Sequence, residues 1–253
     1  MKIVSRSGRP LGEHGVLPSL MREGIVFLSE TDRDEVIERF RGVLTACRHP
    51  HSPDTPWTVI GPCPETGRPP GTDGFTHEAL TPHTDRSIVD APPAVLCFLM
   101  LEEAAVGGHA LLVDTASLLW RYRPDALHRI ADDLWLTDRA HLWRRKIVEI
   151  DRSGYTVIRY RDDEVARPEA RSRLSESLIL GLRSEIRRTP EINLGSGQGY
   201  MIHNHRVLHG RTCFAGVRRG IRILFRVDCD SAYHALNKGF MFRRHGSLPE
   251  GEM

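Results

Sequence analysis

The 253-residue chain has no apolar run near the roughly 20 residues that a membrane helix requires. Its opening residues, Met1-Lys2-Ile3-Val4-Ser5-Arg6, lack the apolar core of a secretory signal. Cysteine is sparse: Cys47, Cys63, Cys97, Cys213 and Cys229 are odd in number and follow no framework spacing, which argues against a disulfide scaffold and for reduced thiols. A cytoplasmic location is expected. An excess of one charge sign is also missing. With 35 Lys and Arg against 33 Asp and Glu, the net charge of +2 gives no field that would draw in a nucleic acid or an anionic membrane. The short basic stretches Arg144-Arg145-Lys146, Arg187-Arg188 and Arg218-Arg219 read as solvated faces. No internal repeat or low-complexity tract is present. A small-molecule partner is expected, and the oligomeric state stays open, a homo-oligomer included.

What is present is ordinary for a globular protein: 40% apolar and 27% charged residues, in a length that suits one domain over 1–253. Gly24 to Leu28 reads as a strand, and Thr31 as the cap of a helix running to about Cys47. Residues 48–75 are rich in proline and glycine and read as a long loop, a lid or wall of a site. Ala94 to Leu101 is apolar on both parities, as in a strand buried on both faces, and Gly107-Gly108 turns into a second strand, His109 to Asp114. Thr115 to about Asp133 reads as helix restarted at Pro124, and Lys146–Ile150 with Tyr155–Tyr160 as a strand pair. Pro168 to Arg188 carries Leu174, Leu178, Leu182 and Ile186 on one helical face. Strands return at Gly199–His203 and Gly220–Val227, and a polar tail fills 231–253. Many strands without regular strand-helix alternation point to a mainly β fold with inserted helices, built on a double-stranded β-helix (jelly roll) core.

Two segments carry chemistry. In Thr81-Pro82-His83-Thr84-Asp85-Arg86, the side chains of His83 and Asp85 project to one side of an extended chain and can converge on one ion. The second segment runs from Ile202 to Arg211 and offers His203, His205 and His209. Two His and one carboxylate on one face of iron(II) leave three positions open for a chelating 2-oxoacid and oxygen. Such an acid presents a second carboxylate, which a guanidinium clamps bidentately. Arg222 is the candidate, and alternation along its strand places Arg222, Leu224 and Arg226 on one face, opposite Ile221, Ile223, Phe225 and Val227. Asn204 and Arg211 read either as site-orienting residues or as turn anchors. Cys47, His49, His51 and Cys63 contain zinc-type ligands at a spacing that matches no usual zinc arrangement. Trp57, Phe75, Trp120 and Tyr160 line a pocket or fill core.

The ordered combination of Gly107-Gly108 to Asp114, Leu208-His209-Gly210-Arg211 and Arg222-Ile223-Leu224-Phe225-Arg226 resembles the taurine dioxygenase and clavaminate synthase-like superfamily of iron(II)/2-oxoglutarate oxygenases. The resemblance implies Fe(II) held by His83, Asp85 and His209, with 2-oxoglutarate bound by Arg222 as cosubstrate. It implies Arg226 as the contact for an acidic group of a small-molecule substrate, an amino acid or biosynthetic intermediate. The implied reaction consumes O2 and releases succinate and CO2, with hydroxylation as its default outcome. Asp85 occupies the position that related halogenases leave vacant. Where the family commonly places a threonine near 2-oxoglutarate, this chain has Ala110. A cupin-like metal enzyme without the oxoacid and a non-catalytic jelly-roll binding protein are the alternatives.

Overall fold

The computed structural model describes residues 1–12, 15–62 and 73–241. Two antiparallel sheets face each other across a shared interior. The larger has the strand order Lys2–Ser5, Ile25–Ser29, Gly199–His203, Val95–Glu102, Arg219–Val227 and Leu44–Cys47, with Trp57–Ile60 also paired to Arg219–Val227. The smaller has the order Glu191–Ile192, Ala110–Asp114, Val207–Arg211 and Leu80–His83. This is the jelly-roll arrangement, in which neighbouring strands come from distant parts of the chain.

The central strand explains why its sequence is apolar on both parities. Val95, Cys97 and Leu99 pack outward with Val16, Leu20 and Val36, which belong to the helices Val16–Glu23 and Arg33–Arg39. Leu96, Phe98 and Met100 pack inward with Ala110, Leu112 and Tyr200. Each such buried side chain contributes on the order of 1.5–3 kcal/mol, so the strands that carry the site stand on a heavily packed base. Arg219–Val227 repeats the pattern, with Ile221, Ile223, Phe225 and Val227 outward and Leu224 inward. The row that includes Arg222 therefore faces the interior.

A third core lies beside the sandwich, where the helices Pro124–Asp133 and Arg173–Arg188 bury Leu127, Ile130, Leu178 and Leu182 against Leu134, Leu136 and Ile158. The hairpin around Gly154 forms as expected, with Val148–Ile150 against Tyr155–Ile158.

Three elements differ from the sequence reading. The helix after residue 31 ends at Arg39, its cap is Asp32 rather than Thr31, and Leu44–Cys47 is a strand paired with Leu224–Val227. Helix propensity loses here to edge pairing on a sheet that needs a neighbour. Within the 48–75 loop, Trp57–Ile60 is a strand and Asp73–Phe75 a short 3-10 turn; residues 63–72 and 242–253, including Cys63 and most of the polar tail, lie outside the described residues. The helix placed from Pro168 starts at Arg173, capped by Ser172, because Ala166–Ala170 pairs with Leu134–Asp138.

Candidate active site

The two segments singled out for chemistry meet in the smaller sheet, where His83 and His209 are directly opposed Cα partners on adjacent strands. Their ring centroids lie 4.6 Å apart. Gly210 makes this approach feasible, since a Cβ there would stand 2.3 Å from the Leu80 carbonyl oxygen and 2.8 Å from the Pro82 nitrogen. The glycine of the Leu-His-Gly-Arg segment is thus demanded by close packing of the two histidine strands.

Beyond His83 the chain is pinned on both sides. Thr84 exchanges hydrogen bonds with Tyr160: Thr84 N donates to the Tyr160 carbonyl at 2.9 Å, and Tyr160 N donates to Thr84 Oγ1 at 3.0 Å. Asn204 Oδ1 accepts from Asp85 N at 2.8 Å, and its Nδ2 donates to the carbonyls of Asp85 at 3.0 Å and Pro93 at 2.9 Å. Arg211 clamps the approach to the His83 strand, donating to the carbonyls of Asp73, Thr76 and Glu78. Asn204 and Arg211 are both positioning residues.

His83, Asp85 and His209 are nearly buried and line one pocket of about 200 Å³, a size that suits a small acid and not a polymer. Burial, aided by neighbouring charges, lowers His83 to about 4 and His209 to about 3. Burial pushes Asp85 up, but the Arg222 guanidinium beside it outweighs this and holds the carboxyl well below its usual range. At neutral pH the set is therefore two neutral imidazoles and one carboxylate, the protonation states that a divalent metal requires. His83 Nδ1 contacts the Thr81 carbonyl at 2.9 Å, which fixes the proton on Nδ1 and leaves the lone pair on Nε2. His209 Nδ1 is buried without a hydrogen-bond partner among the described residues.

As the side chains stand, no three His, Cys, Asp or Glu among the described residues form a ready coordination cluster. Asp85 Oδ2 accepts from Arg222 Nη1 at 2.7 Å, while Arg222 Nε and Nη2 are buried with no hydrogen-bond partner among the described residues. Arg222 thus keeps one edge of its fork open. Arg226 is not among the pocket's lining residues; it is exposed and donates to the Ala91 carbonyl at 2.8 Å. His203 and His205 do not line the pocket either, and His203 Nε2 contacts the Leu236 carbonyl. Of the zinc-type residues, His49 and His51 line the pocket, and of Trp57, Phe75, Trp120 and Tyr160 only Phe75 does. Trp57 packs in the outer core and Tyr160 is fully buried.

Three further residues line the pocket: Arg161, which the sequence offered only as the start of a second candidate lid segment, Arg161 to Glu164, and Tyr200 and Arg218, for which it offered no site role. Arg218 corrects an explicit expectation: placed on a solvated face, it is 3% exposed. The alternation of the next strand held the signal, because Arg218, immediately before Arg219–Val227, lies four residues before Arg222.

Residues 14–227 match the model of the taurine catabolism dioxygenase TauD, TfdA family. The chain belongs to this family. Solved structures with the same fold include PvcB from Pseudomonas aeruginosa, described as an Fe, alpha-ketoglutarate dependent oxygenase from an isonitrile synthetic pathway (TM-score 0.60, 15% identity, 85% of this chain and 80% of that one). Asparagine oxygenase, in complex with Fe(II), 2S,3S-3-hydroxyasparagine and succinate, matches with a TM-score of 0.57 at 13% identity over 82% of this chain and 77% of that one. The non-heme iron oxygenase OrfP, in complex with Fe, succinate and (3S)-hydroxy-L-Arg, matches with a TM-score of 0.55 at 14% identity over 80% and 76%. At these identities the family's shared property is the fold. No curated protein sequence matches the chain. Among the described residues, no helix is long and apolar enough to cross a membrane.

Proposed function

We propose that this chain is an iron(II)- and 2-oxoglutarate-dependent oxygenase that hydroxylates a small molecule bearing an acidic group, an amino acid or a biosynthetic intermediate. The observation that carries the reading is the opposition of His83 and His209 across paired strands, with Asp85 in the same pocket and all three in metal-binding protonation states. His83, Asp85 and His209 would hold the metal. Iron(II) so held would supply, with O2 and an oxoacid converted to succinate and CO2, the oxidising power for an unactivated C–H bond.

The chain's own residues do the rest. His83 keeps its proton on Nδ1 through the Thr81 carbonyl, which orients the ring and holds Nε2 in its ligand form. Asn204 fixes the backbone at Asp85. Arg222 stands beside Asp85 with Nε and Nη2 free of protein partners, a fork suited to a carboxylate of the oxoacid or of the substrate. The pocket walls at His49, Pro50, His51, Phe75, Arg161 and Val165 would keep bulk water from the reacting carbon of a bound substrate. The hydroxylated amino acids in the asparagine oxygenase and OrfP structures support an amino-acid-like substrate. Arg226, which donates to the Ala91 carbonyl, remains the proposed outer contact for its acidic group.

Anaerobic addition of 2-oxoglutarate to the iron(II)-loaded protein tests the reading. A weak visible charge-transfer band is expected, followed by succinate release on admitting oxygen. Iron demonstrably bound with no band at saturating 2-oxoglutarate would remove the cosubstrate and leave a metal enzyme of another kind.

A further inference from the structure

The family match ends at Val227, yet the chain beyond it returns to the interior. His234–Lys238 forms a 3-10 turn and Phe240–Met241 a strand. Leu236 is fully buried in the outer core, and Phe240 is buried in the third core, so one short segment ties two cores together. Gly239 makes the passage between them. It has φ +117°, and a Cβ there would stand 2.2 Å from the carbonyl oxygen of Thr156, the residue with which Phe240 pairs.

What this segment touches is the turn that holds Asp85. His203 Nε2 donates to the Leu236 carbonyl at 3.1 Å, and His205 makes a hydrogen bond to the Asn237 backbone. Both imidazoles are buried, and the ring of His203 also meets that of Phe240 edge-on, with centroids 6.3 Å apart. Between the two histidines sits Asn204, whose side chain bonds the backbone N–H and carbonyl of Asp85.

On its other side the segment holds the strand of Arg222. Asn237 behaves there as a pairing backbone would: its Oδ1 accepts from Val227 N at 3.0 Å, and its Nδ2 donates to the Val227 carbonyl at 2.6 Å. Val227 ends the strand that carries Arg222, and Arg222 Nη1 in turn donates to Asp85 at 2.7 Å. The contacts close into a ring that runs from Asp85 through Asn204, the two histidines, Leu236 and Asn237, then Val227 and Arg222, and back to Asp85. Leu236 and Asn237 are its only members outside the family match.

We propose that His234–Met241 is a positioning element for Asp85, acting through His205 and Asn237 on the turn that carries Asn204. The inference rests on the reading of His83, Asp85 and His209 as the metal site. If the segment were undocked, Asn204 would keep its grip on Asp85, but the turn would lose its tie to the Arg222 strand and two buried imidazoles would lose their partners. A ligand whose outer supports slacken binds its ion less well. Linkage requires the reverse as well: an ion on Asp85 tightens the docking of the segment.

The test uses the full-length chain with manganese(II) as the probe. Affinity measured calorimetrically should fall about 10-fold in Asn237→Ala. Leu178→Ala, or the milder Ile130→Val, removes packing from the third core away from the ring, and should lower Tm without weakening manganese(II) binding. Hydrogen exchange gives the reciprocal measure. Manganese(II) should slow exchange of the Leu236 and Gly239 amides, which donate to the Tyr233 and Leu236 carbonyls, by a larger factor than it slows the amides of the helix Arg173–Arg188. Native affinity in Asn237→Ala, or a loss that the two core variants share in proportion to their Tm, would make the segment a structural plug and overturn the proposal. Exchange at Leu236 and Gly239 that manganese(II) leaves unchanged would do the same, and this measurement on the native chain decides the matter if Asn237→Ala does not fold. A native chain that binds no manganese(II) would sink the metal-site reading, and this inference with it.

Discussion

Asn204 grips Asp85 by both of its backbone polar groups, its Oδ1 accepting from the N–H and its Nδ2 donating to the carbonyl. The two residues are 119 positions apart in sequence, so one amide side chain sets the register between the loop after His83 and the turn before His209. Replacing Asn204 with Ala leaves buried backbone groups of Asp85 and Pro93 unpaired, at about 1–3 kcal/mol. Manganese(II) affinity, measured calorimetrically, should fall about 10- to 100-fold, as for other residues that orient a ligand without touching the metal. Unchanged affinity would mean that Asp85 is held well enough by the rest of the loop.

The competing histidines separate cleanly. His83→Ala and His209→Ala should each abolish manganese(II) binding with the far-ultraviolet spectrum retained, whereas His203→Gln should bind normally, because His203 contacts the Leu236 carbonyl and does not line the pocket. Normal binding by His209→Ala would send the search for the third ligand back to His49 and His51, which do line it.

Gly210 tolerates no side chain. In Gly210→Ala the new methyl meets the Leu80 carbonyl at 2.3 Å, and only separation of the two histidine strands relieves it. Destabilisation of about 2–4 kcal/mol together with lost metal binding is expected, measured by urea unfolding and calorimetry. Native behaviour in both would show that the strands have slack at this point.

Acid should weaken the fold through His203. Burial lowers its pKa to about 4 from 6.5, so the unfolded chain takes up a proton that the folded chain refuses. Its effect is absent above pH 6.5 and grows as pH falls toward 4, at about 1.4 kcal/mol per pH unit, or about 2 kcal/mol between pH 6.5 and 5. Urea midpoints across this range should shift accordingly, and His203→Gln should flatten the slope; equal slopes in both chains would refute the assignment.

Asp114 joins Arg206 through two hydrogen bonds, each 2.8 Å, with both side chains buried. Asp114→Ala strands Arg206 without its carboxylate and should cost about 3–5 kcal/mol in urea unfolding. A loss below about 1 kcal/mol would place the partner charge elsewhere.

The sequence disclosed what depends on periodicity and on short spacing. The doubly apolar run at Val95, the alternation around Arg222 and the His-x-Asp spacing each encode a local geometry that the fold keeps. It was silent where the deciding partner lies far along the chain. Leu44–Cys47 became a strand because Leu224–Val227 offered an edge, and nothing within residues 31–47 announces that. Arg218 looked solvated because two adjacent arginines usually are, and its burial depends on Gly108, 110 positions away. Arg226 had the right parity, but parity does not say how far along a strand the pocket extends.

Among the described residues, the strand that carries His83 is the outermost of its sheet and pairs on one side only, with the strand of His209. An ion shared by the two rings would act as a cross-link between positions 83 and 209, fastening a free edge across 126 intervening steps of chain (209 − 83). Metal loading and resistance to unfolding should then rise together, and the edge that is most prone to fray is the one that the chemistry itself would rivet shut.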